Sequence, residues 1–514
     1  MIRSTFGGFS LALSGLNASQ KSLDVTGQNI TNMNTTGYTR QRLDLYSIGG
    51  TGVGPYSFIS ETKVGQGTMM QSVSQLRDPY LDYQFRTQLA KVGTQDAYNE
   101  TLGQIGNIFD KVDTNNVQEA LDEVVSQLQD LSTKVGQDGA DNLVRESFGV
   151  LIDYLHQNAT ELDNIRETLI EKMQKTIGPE VNEILKNIAS LNESIKNAEI
   201  LGNPALELRD QRNLLIDDLA TYLPIEINSI QTDIGGGRKV EELEIKIKGS
   251  DKLLVSHDKA GELTFTANPN KAGELQLSIS EYDKKGNPPG FANTDYTDKL
   301  SEGIIKGNLD MLNSDGHSAG ETDVKGIGYY EVLLDSFANT LATEMNKLNG
   351  GGAPGSKDNL FETSDGSNTF TASNIKISDD WMGGIIRIKN TNGGGATAND
   401  NILKMKELLS TKKDLEFRTP DGKLLYKGTM PGAYTNIQNM QGVQKKSAES
   451  LLANRVAVMN DIWDNRESIS GVSLDEEVAN LMRYQQSYNA AARVMTAMDE
   501  ALDVLINKMG VVGR

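Results

Sequence analysis

Residues Ser473–Met509 read SLDEEVANLMRYQQSYNAAARVMTAMDEALDVLINKM. Alternating steps of four and three from Leu474 reach Val478, Leu481, Gln485, Tyr488, Ala492, Met495, Asp499, Leu502, Ile506 and Met509. All but Gln485 and Asp499 are apolar or Tyr. This is a heptad seam, one narrow stripe along one face of a helix. Ser473 with Glu476 three residues on reads as a capping box, and Asp475, Glu476 and Glu477 suit the positive end of the helix dipole. Gly510 is the expected stop. At 1.5 Å per residue the helix spans roughly 55 Å.

A narrow stripe needs a partner, and the start of the chain offers one. Phe9, Leu13, Leu16, Gln20, Leu23, Gly27 and Ile30 also step by four and three. The pair reads either as two halves of an intramolecular coiled coil or as an assembly module. Periodicity alone does not separate the two.

The 514 residues carry 50 Lys and Arg against 70 Asp and Glu, a formal charge of −20. Such a surface repels nucleic acid and anionic lipid, so neither is an expected partner. The chain has no cysteine. That excludes disulfides, thiolate metal sites and a Cys nucleophile. No run approaches the ~18 apolar residues of a membrane-spanning helix. Phe9–Leu16 is broken by Ser10, Ser14 and Gly15 and reads as helix, not as a cleaved signal.

Residues 5–32 are the first predicted helix. Asn34, Thr35, Thr36 and Gly37 follow as turn formers, with Gly37 suited to a positive φ. Tyr38–Leu45 alternates like a strand. The segment GGTGVG at 49–54 lacks the lysine and the flanking elements of a phosphate loop and reads as a loop.

The stretch NITNMNTTGYTRQ, Asn29–Gln41, resembles the N-terminal signature of flagellar axial proteins. Its Gly37-Tyr38-Thr39-Arg40-Gln41 ending is most similar to the hook-associated protein 1 family. The stretch from Gly471, GVSLDEEVANLMRYQQSYNAAARVMTAMDEALDVLI, resembles the same family's C-terminal signature. Thr36 stands where the family usually has Pro. A further motif, LELRDQRN at 206–213, matches the family at Leu208, Asp210, Gln211 and Arg212 and departs from it at Leu206, Glu207, Arg209 and Asn213. Two apart on a helix, Asp210 and Arg212 face different sides and read as separate structural partners, not as an active pair.

Between the ends, 78–112, 117–135 and 141–201 are helical in pattern, with Gly178-Pro179 expected to bend or divide the last. After Pro224, residues 225–305 alternate in short runs (243–247, 253–256, 263–267, 275–280) separated by turns such as Asn287-Pro288-Pro289-Gly290. Helix returns at 326–349. A second insert, 351–440, is mixed: Ile375, Ile377, Ile385, Ile386 and Ile388 read as strands and 400–413 as a short helix. Residues 445–467 return to helix.

The expected fold is therefore multidomain α+β. A long-helix rod is built from both chain ends, with terminal coiled-coil helices, and carries two inserted domains, one β-rich and one mixed β/α. The boundaries are 1–45 with 471–514 for the terminal axial part, then 46–224, 306–350 and 441–470 for the rod. Residues 225–305 and 351–440 are the inserts, and deleting 351–440 is expected to be tolerated.

Chemistry is sparse. His156, His257 and His317 share no metal-ligand spacing, and His156 reads as solvated. Asp113-Thr114-Asn115-Asn116 lacks the Gly and distant Glu of a calcium loop and reads as a helix cap. There is no HExxH and no Gly-x-Ser-x-Gly elbow. No catalytic residue, cofactor or metal is expected.

The resemblance implies a structural subunit at the junction of hook and filament, exported without a cleaved signal by the flagellar type III route. It implies as partners further copies in a ring, the hook protein, a second junction protein or filament subunit, and an export chaperone. The expected assembly residues are Leu13, Leu16, Leu23, Ile30, Asn34, Gly37, Tyr38, Arg40, Val478, Leu481, Tyr488, Ala492, Met495, Leu502 and Ile506. Arg40 and Arg42 read either as charged contacts with an adjacent subunit or as a solvated edge. The alternatives are a hook- or filament-type axial subunit, or an extracellular enzyme or binding module on an insert.

Overall fold

The computed structural model describes residues 5–48, 67–109, 117–134, 138–235, 238–251, 253–269, 271, 273–280, 294–315, 324–352, 356–391, 393 and 398–504. The segment 49–54, the expected cap at 113–116, the turn 287–290, His317, Ile506 and Gly510 lie outside them.

The chain leaves from a terminal helix and returns to it. Helix α1 (Thr5–Asn32) leads through a turn to a ribbon of β1 (Gln41–Ser47) and β2 (Thr68–Gln75). The rod then begins with α2 (Pro79–Phe109), α3 (Val117–Thr133) and α4 (Asp138–Lys172). A π turn, Met173–Ile177, joins α4 to α5 (Gly178–Ile200), and α6 (Leu206–Tyr222) folds back along α5. The expected break at Gly178-Pro179 is thus no break. Pro179 sits in the first turn of α5, where its missing N–H costs nothing, and the π turn absorbs the irregularity within a continuous helix.

The first insert contains two antiparallel sheets. One runs β3 (Ile225–Gly235), β4 (Arg238–Ile247), β5 (Val255–Ser256), β6 (Lys259–Ala260), and the other β7 (Glu262–Ala267), β8 (Leu275–Ser280), β9 (Thr294–Asp295). Leu263, Phe265, Ile245 and Val255 are buried in one continuous core with Ile177, Val181, Leu185 and Ile188 of the rod. His257 takes a left-handed turn between β5 and β6 (φ 56°), and its carbonyl accepts from Asn192 of α5 at 2.8 Å.

Helices α7 (Ile304–Asn313) and α8 (Ile327–Leu348) rejoin the rod. The second insert follows with β10 (Phe361–Thr363), β11 (Ile375–Ile377), α9 (Asp379–Met382), α10 (Asp400–Ser410), β12 (Leu415–Arg418) and β13 (Leu424–Gly428). Ile385, Ile386 and Ile388, expected as strand, form no strand: the chain turns at Gly383-Gly384, leaving Ile385 exposed while Ile388 is buried. Helix α11 (Met430–Ser470) starts earlier than expected. Thr429 caps it by accepting from the Gly432 N–H, and Pro431 fits its first turn. It runs along α2 and leads to α12 (Leu474–Asp503), which packs on α1.

The inserts are fastened to the rod by one recurring device. Asn182, Asn313 and Asn346, each on a rod helix, pair their side-chain amide with both backbone groups of a single strand residue. Asn182 accepts the Leu263 N–H at 2.7 Å and donates to its C=O at 2.9 Å. Asn313 does the same with Leu275 (3.1 and 2.8 Å), and Asn346 with Phe361 (2.9 and 2.9 Å). A primary amide carries one acceptor and one donor side by side, so it completes a strand edge as another strand would.

The second insert is also joined to the rod through its core. Trp381 is fully buried beside Phe148 of α4 and Phe361, and its indole N–H donates to Asp141 at 3.1 Å. His156, expected in solvent, is half-buried, with Nε2 2.8 Å from the Ile375 carbonyl.

Candidate assembly module and elbow

The terminal pair is antiparallel and in heptad register. The Met498 methyl stands where a Cβ on Gly8 would be, and Asn29 donates to Glu477 at 3.1 Å. Both intervals are 21 residues, three heptads. On α1 the heptad positions facing α12 are Gly8, Ala12, Gly15, Ser19, Ser22, Thr26 and Asn29, and Ala18 and Val25 are buried beside them. On α12 the corresponding positions are Glu477, Leu481, Tyr484, Tyr488, Ala491, Met495, Met498 and Leu502.

The α1 seam lies one residue before the expected one, and the α12 seam shares only alternate positions with it. Expected Leu13 and Val478 are each 41% exposed, while Leu16, Leu23 and Ile30 are half-buried. Leu481, Tyr488, Met495 and Leu502 are sheltered as expected, and Ala492 is half-buried beside the seam. The physical reason is size. Small α1 residues let the two helices approach closely, and the larger α12 side chains fill the gap. A reading that followed large apolar residues therefore found the neighbouring face. The polar Gln485 and Asp499 are exposed.

The capping box at Ser473 also differs. Its hydroxyl makes no cap bond, and Glu476 and Glu477 turn to Arg40 instead.

At the base of the pair the N-terminal signature forms an elbow. Buried Asn29 accepts the Gln41 N–H and donates to the Gln41 C=O, each at 2.9 Å. The Tyr38 hydroxyl donates to the Asn29 side-chain Oδ1 at 2.9 Å. Burial, with the carboxylates of Glu207, Asp210 and Glu477 nearby, pushes the Tyr38 phenol well above its ordinary range. Gly37 takes φ 76°, and Leu214 of α6 occupies the space its Cβ would need, so only glycine suits this turn. Asn34 is exposed on the same turn.

Beyond the turn the chain is extended, so successive side chains point opposite ways. Thr39 faces the rod: its N–H and hydroxyl donate to Asp210 at 3.1 and 2.6 Å. Arg40 faces α12, bonded to Glu477 (2.7 Å) and Glu476 (2.7 Å). Within the chain its guanidinium is engaged by both carboxylates, with 19% of its side chain exposed. Burial opposes its charge, but the bonds to Glu477 and Glu476 outweigh this and raise its pKa. Gln41 faces the rod again, donating to Glu207 at 3.2 Å. Arg42 is exposed, 3.3 Å from Asp44.

Below lies a buried network of alternating charge. Arg466 of α11 reaches Asp82 of α2 and Asp217 of α6, each at 2.8 Å. Arg77 pairs with Asp82 at 3.0 Å and approaches Asp210 at 3.8 Å, and Arg86 pairs with Asp217 at 2.6 Å. Burial works against the Asp82 charge, but Arg77, Arg466 and Arg86 prevail and lower its pKa. Asp210 is raised by burial despite the Thr39 bonds. Arg212 faces the other way and donates to Asn192 at 2.9 Å and Glu241 at 3.3 Å. The two residues serve separate structural roles.

Sequence reasoning missed Asn29, Glu477 and Arg466 as site residues. The first two lay inside the quoted signatures, whereas nothing local marked Arg466. Among the described residues no group of three His, Cys, Asp or Glu side chains could hold a metal, and no helix is long and apolar enough to cross a membrane.

The family model "Flagellar hook-associated protein FlgK helical domain" matches residues 102–361. The flagellar basal body rod protein model matches 9–39, and the basal body rod FlgEFG C-terminal model 466–508. Flagellar hook-associated protein 1 of Bacillus subtilis is 30% identical, the alignment covering 99% of this chain and 100% of that one. The Escherichia coli protein of the same name is 25% identical over 96% and 98%. The solved flagellar hook junction protein FlgK from Burkholderia pseudomallei shares the fold, with TM-score 0.57 at 12% identity over 76% of this chain and all of that one. The chain belongs to the flagellar hook-associated protein 1 family.

Proposed function

We propose that the chain is a structural subunit of the bacterial flagellum at the junction between hook and filament, and that it assembles through its terminal helices. The observation carrying this is α12. Of its 30 residues only Glu477 is buried, while Leu474, Val478, Met482 and Val494 are 41–53% exposed, and Leu13 is exposed on α1. A helix this apolar needs further cover, and neighbouring copies in a ring supply it.

In this reading residues 1–45 and 471–514 form the axial part. Segments 46–224, 306–350 and 441–470 form the rod, and 225–305 and 351–440 the two inserts facing outward. The partners are further copies, the hook protein on one side, and a second junction protein or filament subunit on the other. An export chaperone holds the chain before secretion, and the absence of cysteine suits refolding outside the cell. The role is structural and not enzymatic.

The test is a strain lacking the protein, complemented with the parent or with Leu481→Asp. Cells without it make hooks, fail to retain filament and release filament subunit into the medium. The variant is exported and folded in its rod but does not restore the filament, because an unpaired carboxylate in the seam costs several kcal/mol. Full motility of the variant, or normal filaments in the deletion strain, overturns the reading.

A further inference from the structure

We infer that Arg40, Glu477 and Asn29 are positioning residues that pin the angle between the terminal helix pair and the rod. Among the described residues two non-helical links join these parts. One is the turn after α1, with Gly37 at φ 76°, which continues through the β1–β2 ribbon to α2. The other is Gly471–Ser473, extended between α11 and α12. The links run side by side, and the Arg40 N–H donates to the Ser470 carbonyl at 2.8 Å. The stretch from Gly37 to Arg40 and the Gly471–Ser473 link are each a few non-helical residues, which pivot about their φ and ψ.

The strand between them divides its side chains by alternation. Thr39 and Gln41 fasten it to α6 of the rod through Asp210 and Glu207. Arg40, between them, holds the first turn of α12 through Glu476 and Glu477. Asn29 closes the triangle, binding the Gln41 backbone from α1 while donating to the same Glu477. Glu477, the one buried residue of α12, is thus held from both sides. The pin is charge-assisted and sheltered, so it is directional and resists screening by salt. It holds through contacts within one chain. Its use in a ring rests on the junction reading: exposed faces of the helix pair meet neighbouring copies only at a fixed tilt.

The chain has no cysteine, so Val458→Cys on α11 and Met482→Cys on α12, both exposed, give two clean spin-label sites. Pulsed electron double resonance on the purified monomer reads the distance across the elbow. The parent gives one narrow distribution. Arg40→Ala shifts and broadens it, Glu477→Gln does so less, and Arg42→Ala leaves it unchanged. Thermal unfolding of the rod is the same in all four. A broad distribution in the parent, or one unchanged in both Arg40→Ala and Glu477→Gln, overturns the proposal. The measurement needs no assembly, so its failure is distinct from failure of the filament test.

Discussion

Asp335 of α8 shows how one residue couples the rod to the second insert and to pH. Its carboxylate accepts the Ala372 N–H at 2.8 Å. Burial raises its pKa to about 6; the Ala372 bond opposes this, while Glu331 and Asp163 add to it. The folded chain therefore holds this proton to higher pH than the unfolded chain does. Stability from this residue is present at low pH and is lost as pH rises through about 6, where the charge forms in a poor environment. Asp335→Asn keeps an oxygen for Ala372 and removes the titration. The variant is expected to melt higher than the parent at pH 8 and to keep only part of that advantage at pH 5, inside the window between 3.8 and about 6 where the folded and unfolded carboxyls titrate, as followed by circular dichroism. An equal difference at both pH values refutes the assignment.

At the scale of elements, the helices supply the frame and much of the core, and the inserts complete that core from outside. The helix from α4 through the π turn to α5 runs 35, 5 and 23 residues without interruption. It reaches roughly 95 Å at 1.5 Å per residue. Both inserts lie against it. Removing 351–440 would expose Phe148 and break the pairing of Asn346, so the tolerance expected from its Gly-rich borders does not follow. Trp381→Ala tests this with one residue. Its loss leaves a cavity beside Phe148 and Phe361 and takes the indole donor from Asp141, costing about 3–5 kcal/mol. The midpoint of urea unfolding should fall accordingly, and the rod should unfold together with the insert. Independent melting of insert and rod would contradict the shared core.

Across the whole molecule, charge and cover are distributed unevenly. Residues 1–48 and 471–514 together hold eight Lys and Arg and eight Asp and Glu, so the excess of −20 belongs entirely to the chain between. Ends without net charge carry no overall repulsion between copies, whereas the acidic excess of the remaining chain is self-repulsive. Helix α12 is also sparsely enclosed, with Glu477 its one buried residue. Limited proteolysis of the monomer should therefore cut within α12 before α4, whose Val144, Phe148, Leu151, Leu155 and Leu162 are fully buried. Cleavage in α4 at the same rate would remove the distinction between ends and rod. Assembly with partner proteins should protect α12.

The sequence by itself determined the alternation of helical rod with two inserts, the pairing of the two ends and the absence of thiol chemistry. Those follow from periodicity, turn residues and composition, which are local properties. It also carried the family through Asn29–Gln41 and Gly471–Ile506. The tertiary structure decided what depends on distance between remote residues. It chose the small-residue face of α1 over the face bearing Leu13 and Leu16, because close approach of two helices rewards the absence of a side chain. It placed Arg466 between Asp82 and Asp217, which lie on two other helices far earlier in the chain. It turned Arg40 from an edge charge into a bond across the elbow. An extended strand fixes only that neighbouring side chains point apart, and the fold decides what each of them meets.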